Sequence, residues 1–173
     1  PMLHSKKINI DYFRRILEVC EKNHIGLALE NMADFEGGGR SRWYCAHVEE
    51  LCELIDILDE GTGLVGACWD FGHANLVYAD QTECLRMLGH RLKVTHVHDN
   101  SGQRDDHLSP FRGNVNWFDI MRTLAETGYA HDFSFEVRRI IDPEIPEEIK
   151  DSLWQHVHNV GEYLISLYEA AKS

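Results

Sequence analysis

The chain has no uninterrupted apolar run approaching the roughly 18–20 residues that a membrane helix needs, and no cationic leader followed by an apolar segment. These absences predict no membrane partner and a cytoplasmic location. Its five cysteines, Cys20, Cys45, Cys52, Cys68 and Cys84, are odd in number, scattered and free of any C-x-x-C pair. That argues against a disulfide framework or a zinc knuckle and predicts reduced thiols used for packing. Basic residues are scarce, 17 lysines and arginines against 29 aspartates and glutamates, for a formal net charge of −12. Such a surface repels phosphate backbones, which argues against a nucleic-acid partner. Part of the negative charge is expected to sit in carboxylates that a divalent cation would offset.

What is present fits one soluble domain spanning residues 1–173, with 43% hydrophobic and 27% charged residues. Residues 8–23 place Ile8, Phe13, Ile16, Leu17 and Cys20 at helical spacing, with Asp11 as the candidate cap. Residues 25–30 read as a buried strand ending in Glu30, followed by Asn31. Residues 32–42 hold three consecutive glycines with Arg40 and Arg42, either a plain connector or a lid that lays an arginine on an anionic substrate. A second amphipathic helix at 47–58, stopped by Gly61 and Gly63, leads to a strand at 64–69 and then Asp70-Phe71-Gly72-His73. A short helix at 82–88, a strand at 92–97, a helix at 116–127 entered through Asn116 and stopped at Gly128, a strand at 132–137 and a long helix at 146–171 complete the order. The last helix carries Leu153, Val157, Val160, Leu164 and Leu167 on one stripe.

Strands alternating with helices predict a parallel α/β sheet whose ligands gather at the strands' C-terminal ends. Glu30, Asp70, His96 and Glu136 occupy that place on four successive strands. The richest stretch, residues 94–117, follows His96 with His98, Asp99, Asp105 and His107. Imidazole together with carboxylate suits Zn, Mn, Co or Fe better than a dedicated calcium site. For single residues a blander reading stays open. Glu30 and Glu136 fit salt-bridged rim residues, Asp70 a cap on the turn after it, His96 a core histidine, and Asp105 with His107 a loop hydrogen bond. His98 and Asp99 read as groups that fix the loop or support ligands, and His4, His24, His47, His90, His131, His156 and His158 as surface residues.

Five motifs then stand together in one order: ALEN ending at Asn31, WDFGHAN over 69–75, THVHDN over 95–100, DDHLSPFRGNVNW over 105–117 and SFEV ending at Val137. With them the chain resembles the C-terminal half of the xylose-isomerase-like (β/α)8 TIM barrels, which include sugar phosphate isomerases/epimerases, ketose 3-epimerases, hydroxypyruvate isomerases and endonuclease IV. The resemblance implies that Glu30, Asp70, His96 and Glu136 bind one divalent metal ion, Mn, Mg, Co or Zn. It implies an open-chain sugar or sugar phosphate as substrate, with Glu30 and Glu136 as the acid–base pair on opposite faces of an enediolate and His73, His107 and Arg112 as substrate contacts. In the endonuclease relatives the positions of His73, Asp105 and His107 hold a further zinc. The chain departs from the family at Pro110-Phe111-Arg112-Gly113, where relatives read H-L-P-P-G-x-G, so one of two glycines that let backbone approach a substrate phosphate is replaced by Phe111.

A closed barrel of this kind needs eight strands and about 250 residues, and four strands are present here. Either the sequence is part of a longer chain, or two chains pair their open sheet edges, which predicts a homo-oligomer, a dimer or larger. Three functions follow: a metal-dependent sugar isomerase/epimerase, an endonuclease IV-like zinc phosphodiesterase, or a non-catalytic half-barrel that self-associates.

Overall fold

Four parallel strands lie side by side in sequence order: β1 (Leu27–Glu30), β2 (Val65–Asp70), β3 (Leu92–Val97) and β4 (Ser134–Phe135). The computed structural model describes residues 2–34, 42–138, 140 and 144–172. Helices α1 (Met2–Asn23), α2 (Val48–Asp59), α3 (Phe71–Asn75), α4 (Thr82–Leu88), α5 (Trp117–Glu126) and α6 (Glu147–Ala171) occupy the connections. The pairing Glu30 with Cys68, Asp70 with His96, and His96 with Ser134 keeps the strands' C-terminal ends level. This is the parallel α/β sheet that the strand–helix alternation predicts, arranged as the half-barrel that the family resemblance implies. Among the described residues β1 and β4 each have one unpaired edge.

The strands are shorter than the apolar runs. Ile25 is exposed and donates its N–H to Cys20 O, so it closes the turn that follows α1 and does not join β1. At the other edge only Ser134 and Phe135 join the ladder of the expected 132–137 segment, and Glu136 lies one residue past it with its N–H still reaching Val97 O. Helix α1 begins at Met2, upstream of the expected start, because residues 2–7 hold no proline or glycine to stop it. Asp11, read as its cap, therefore sits in mid-helix. Asn116 does cap α5, its side chain accepting from Asp119 N.

The core lies between the sheet and its helices. Strand β2 is buried along its whole length, and α2 buries Val48, Leu51, Leu54, Ile55 and Leu58 against it. Trp69, Phe71 and Trp117 are fully enclosed. Each such side chain contributes about 1.5–3 kcal/mol through burial. Of the glycine-rich connector, Arg40 lies outside the described residues. Arg42 makes a two-pronged pair with Glu50 at 2.7 and 2.6 Å, so its guanidinium is committed to α2.

The loop after β3 is fastened by a buried carboxylate. Asp99 accepts from the backbone N–H groups of Asn100, Phe111 and Val115 and from Trp117 Nε1, at 2.8 to 3.1 Å. Gly113 passes so close that a Cβ there would lie 2.1 Å from Asn100 O and 2.2 Å from Asp99 Oδ1. Gly113→Ala is expected to destabilise the fold by about 1–3 kcal/mol through overpacking, and a thermal melt checks it. Phe111, at the lost glycine of the family pattern, has φ of 69°, so it keeps the left-handed backbone shape that glycine adopts freely.

Candidate functional site

Side chains from all four strand ends converge. Donor atoms of Glu30, Asp70, His96 and Glu136 all lie within 4.8 Å of one another. His96 Nδ1 faces three carboxylates, 3.0 Å from Glu136 Oε2, 3.4 Å from Glu30 Oε1 and 3.7 Å from Asp70 Oδ2. That nitrogen is buried and has no hydrogen-bond partner, although acceptors surround it. An orphaned imidazole nitrogen among three carboxylates fits a divalent cation of the Zn, Mn or Co type, which would bind all four groups.

Local structure explains how each group is held. Asp70 is wholly enclosed at the end of β2. Its Oδ1 accepts from His73 N at 2.7 Å, so it caps α3, while its Oδ2 lies 3.7 Å from His96 Nδ1 and faces the site. Asn31 clamps the same residue by its backbone, accepting from Asp70 N at 2.6 Å and donating to Asp70 O at 3.0 Å. Nothing in the sequence marks Asn31 for this role except its place after Glu30. Glu136 is anchored by Arg138, whose Nη2 lies 2.5 Å from its Oε1.

His73 and Asp105 continue the cluster outward. His73 Nδ1 donates to Asn31 O at 3.0 Å and lies 3.3 Å from Glu30 Oε1, while its Nε2 is 3.5 Å from Asp105 Oδ2. His107 Nε2 reaches that same oxygen at 2.9 Å. His73, Asp105 and His107 are thus brought close together, with Asp105 Oδ2 between the two rings. His98 joins them from the other side, its Nδ1 3.9 Å from Asp105 Oδ1, and both of these atoms are buried without a hydrogen-bond partner. Arg112, the expected substrate contact, is exposed and forms no ion pair with any described residue. Cys68 Sγ approaches Glu30 and His96, yet burial and then the neighbouring carboxylates push this thiol up to about 12, which keeps it neutral and consistent with a packing role.

The charges are strongly coupled. Asp70 pushes His96 up to about 9 against partial burial, with help from Glu30 and Glu136. Burial opposes a charge on His73, but Asp105 and Glu30 outweigh it and raise that ring to about 11. Burial likewise opposes ionisation of Asp70, and His96 and His98 overcome it to hold that carboxyl far below its ordinary range. The signs give opposite contributions. Charged His73 and His96 stabilise the metal-free fold fully below their ordinary value of 6.5, and this is lost as pH rises through about 9 and then about 11. The Asp70 contribution is present above its ordinary value of 3.8 and is lost as pH falls. The metal-free fold is therefore expected to be most stable between these ordinary values.

A cation held by these four groups would have to displace the proton on His96. Its apparent affinity is therefore expected to rise about tenfold per pH unit below about 9, or roughly 100-fold between pH 6 and 8. Calorimetric titration of Co2+ at several pH values, with the proton release followed through buffers of different ionisation heat, checks this. An affinity flat with pH would remove His96 from the ligand set.

Parallel βα units carrying carboxylates and imidazoles on the C-terminal ends of their strands define a protein of the βα-barrel class. The chain belongs to the Xylose isomerase-like TIM barrel family, whose profile matches residues 5–154. Its curated relatives include the uncharacterised protein MJ1311 of Methanocaldococcus jannaschii, 32% identical over 82% of this chain and 46% of that protein. The uncharacterised protein y4fM of Sinorhizobium fredii is 35% identical over 62% of this chain and 33% of its own length. The chain thus spans a third to a half of these relatives. Among similar solved structures is a D-psicose 3-epimerase from Clostridium cellulolyticum, with a TM-score of 0.76 at 19% identity over 95% of this chain and 57% of that one. An L-ribulose 3-epimerase gives a TM-score of 0.71 at 20% identity, covering 94% of this chain and 54% of that one. At these identities the structural likeness establishes the fold, and the coverage matches a half-barrel.

Proposed function

We propose that the chain is the site-bearing half of a metal-dependent isomerase or epimerase acting on an open-chain sugar or sugar phosphate. The observation that carries this reading is the convergence of Glu30, Asp70, His96 and Glu136 at the ends of four adjacent strands. When bound, a divalent cation supplies a Lewis acid for the substrate's carbonyl and neighbouring hydroxyl. Glu30 or Glu136 removes the proton from the carbon beside the carbonyl, leaving an enediolate, and the other returns a proton to the opposite face. One of the pair must be ionised and the other protonated at the start of each turnover. His73 bridges Glu30 and Asp105 and orients a substrate hydroxyl, and Arg112 is a further contact, whereas both ring nitrogens of His107 are engaged, by Asp105 and by Glu136 O, so it supports the site from within. The names of the solved relatives, ketose 3-epimerases among them, support a ketose and inversion next to its carbonyl.

The half-barrel leaves β1 and β4 with open edges and keeps Glu30, His96 and Glu136 about a third exposed, so assembly with further strands is part of the proposal. A homo-oligomer supplies them if no longer chain does. The proposal places the protein in the cytoplasm, and no helix of the described residues is long and apolar enough to cross a membrane. The convergence of His73 and His107 on Asp105 favours a second reading, a zinc phosphodiesterase, against which stands the net charge of −12.

Elemental analysis of the purified protein, its mass in solution and proton NMR of ketoses in deuterated water form the test. One ion per site, together with deuterium entering the carbon beside the carbonyl, is expected. Cleavage of abasic-site DNA instead would move the phosphodiesterase to first place. An ion with neither activity would leave the self-associating, non-catalytic half-barrel.

A further inference from the structure

His98 and His107 lie face to face beneath the site, ring centroids 4.0 Å apart and planes 19° from parallel. Each holds a different wall of the carboxylate cluster. The His98 ring is fully enclosed, and its Nε2 donates to Asp70, 2.8 Å from Oδ1 and 3.0 Å from Oδ2. It is wedged against Gly72, where a Cβ would stand 1.9 Å from the ring. His107 grips the chain beyond β4 at two points. Its Nδ1 donates to Glu136 O at 2.9 Å, and its own carbonyl accepts from Arg138 N at 3.3 Å. To reach that position His107 adopts a φ of 49°, unfavourable for a side chain with a Cβ and kept in place by the paired bonds between Asp99 and Leu108.

Strand β4 contributes two ladder residues, and Glu136 lies beyond them. Past them the sheet holds Glu136 by a single backbone bond, its N–H to Val97 O, which leaves the distance from Asp70 on β2 to the Glu136 side chain, with β3 between them, to be set by other contacts. The stacked pair spans that gap, one imidazole on each side. The stack also bears on whether the two rings share an ion of their own. A nitrogen lone pair lies in the plane of its ring, so nearly parallel planes 4 Å apart aim their lone pairs side by side and not at one point.

We propose that His98 and His107 are positioning residues that act together: the stack sets the spacing of Asp70 and Glu136 and thereby the affinity of the centre for its cation. This rests on the reading of Glu30, Asp70, His96 and Glu136 as a metal centre. Support groups of this kind commonly carry about 10–100-fold in metal affinity.

Amides test it, because an asparagine nitrogen overlays imidazole Nδ1 and a glutamine nitrogen overlays Nε2. His98→Gln keeps the donor to Asp70 and His98→Asn misplaces it, whereas His107→Asn keeps the donor to Glu136 O and His107→Gln misplaces it. Calorimetric titration of Co2+ into each protein, with the cobalt absorption spectrum and the metal-free melting temperature, gives the readout. The matched variants are expected to bind near the wild-type affinity, and the mismatched ones about 10–100-fold more weakly with an altered spectrum. Equal affinities within each matched and mismatched pair, whether both strong or both weak, would overturn the positioning role. So would a second cobalt ion lost from His107→Asn, which would make His107 a ligand. If the wild type itself binds no cobalt, the metal-centre reading fails and takes this proposal with it, an outcome distinct from the others.

Discussion

Replacing Glu136 by glutamine, or Glu30 by glutamine, is expected to lower the turnover of the assembled, metal-loaded protein by about 10²–10⁴-fold, the usual contribution of one proton-transfer group. The amide is nearly isosteric with the carboxylate and cannot take or return a proton at the carbon beside the carbonyl. The two losses should differ in kind. His73 lies 3.3 Å from Glu30 and, with His96, holds that carboxyl below its ordinary range although burial works the other way. Glu30 is thus suited to the ionised role, and Glu30→Gln should abolish exchange when the reaction starts from the epimer whose proton faces it. Glu136→Gln should retain some wash-in of solvent deuterium from that epimer while failing to invert it. Isotope exchange with each pure epimer, followed by NMR, separates the two cases. If both variants lose exchange and inversion equally from both epimers, the assignment of one face to each residue is wrong.

The second large effect concerns the ion. His96→Ala removes the only imidazole among the four converging groups and leaves the all-oxygen set Glu30, Asp70 and Glu136. If a four-ligand site of the zinc type is worth roughly 10–16 kcal/mol, one ligand accounts for about 3 kcal/mol, or on the order of 100-fold in affinity. The loss should be selective. Ions that favour nitrogen, such as Zn2+ and Co2+, should weaken most, while Mg2+, which takes oxygen ligands, should weaken least. The metal-free fold should respond differently: removing the His96 charge leaves three carboxylates facing one another, so the melting temperature without metal should fall most where they are ionised. Titration with the three cations and a melt at two pH values check both parts. Unchanged Co2+ binding in His96→Ala would place the ion away from these four groups.

Much of this was open to inspection in the sequence because the relevant information is local and periodic. The alternation of apolar runs with amphipathic stretches sets a parallel sheet, and a strand's last residue falls at the same end in every βα unit, so Glu30, Asp70, His96 and Glu136 had to share one rim. The capping by Asn116 needed only an asparagine before an apolar helix. Element ends were less legible. Residues 2–7 extended α1, and the edge position of β4 shortened it to two residues, because both ends depend on neighbours and not on the segment itself. Short α3 was legible only as a turn that Asp70 caps, because its five residues carry too little periodicity to read as a helix.

The sequence by itself determined the parallel sheet, the order of its units and the identity of the four groups at the strand ends, because hydrophobic period and strand polarity are properties of the chain, and its motifs added the half-barrel by family resemblance. Only the tertiary structure decided which groups support them. That Asn31 clamps Asp70, that His98 presses on Gly72, and that His107 stacks on His98 and holds the chain at Glu136 are contacts that local sequence does not set. Such contacts have no period to read. They exist because close packing leaves each buried polar atom few partners, and which partner it finds is settled only once the strands are in register.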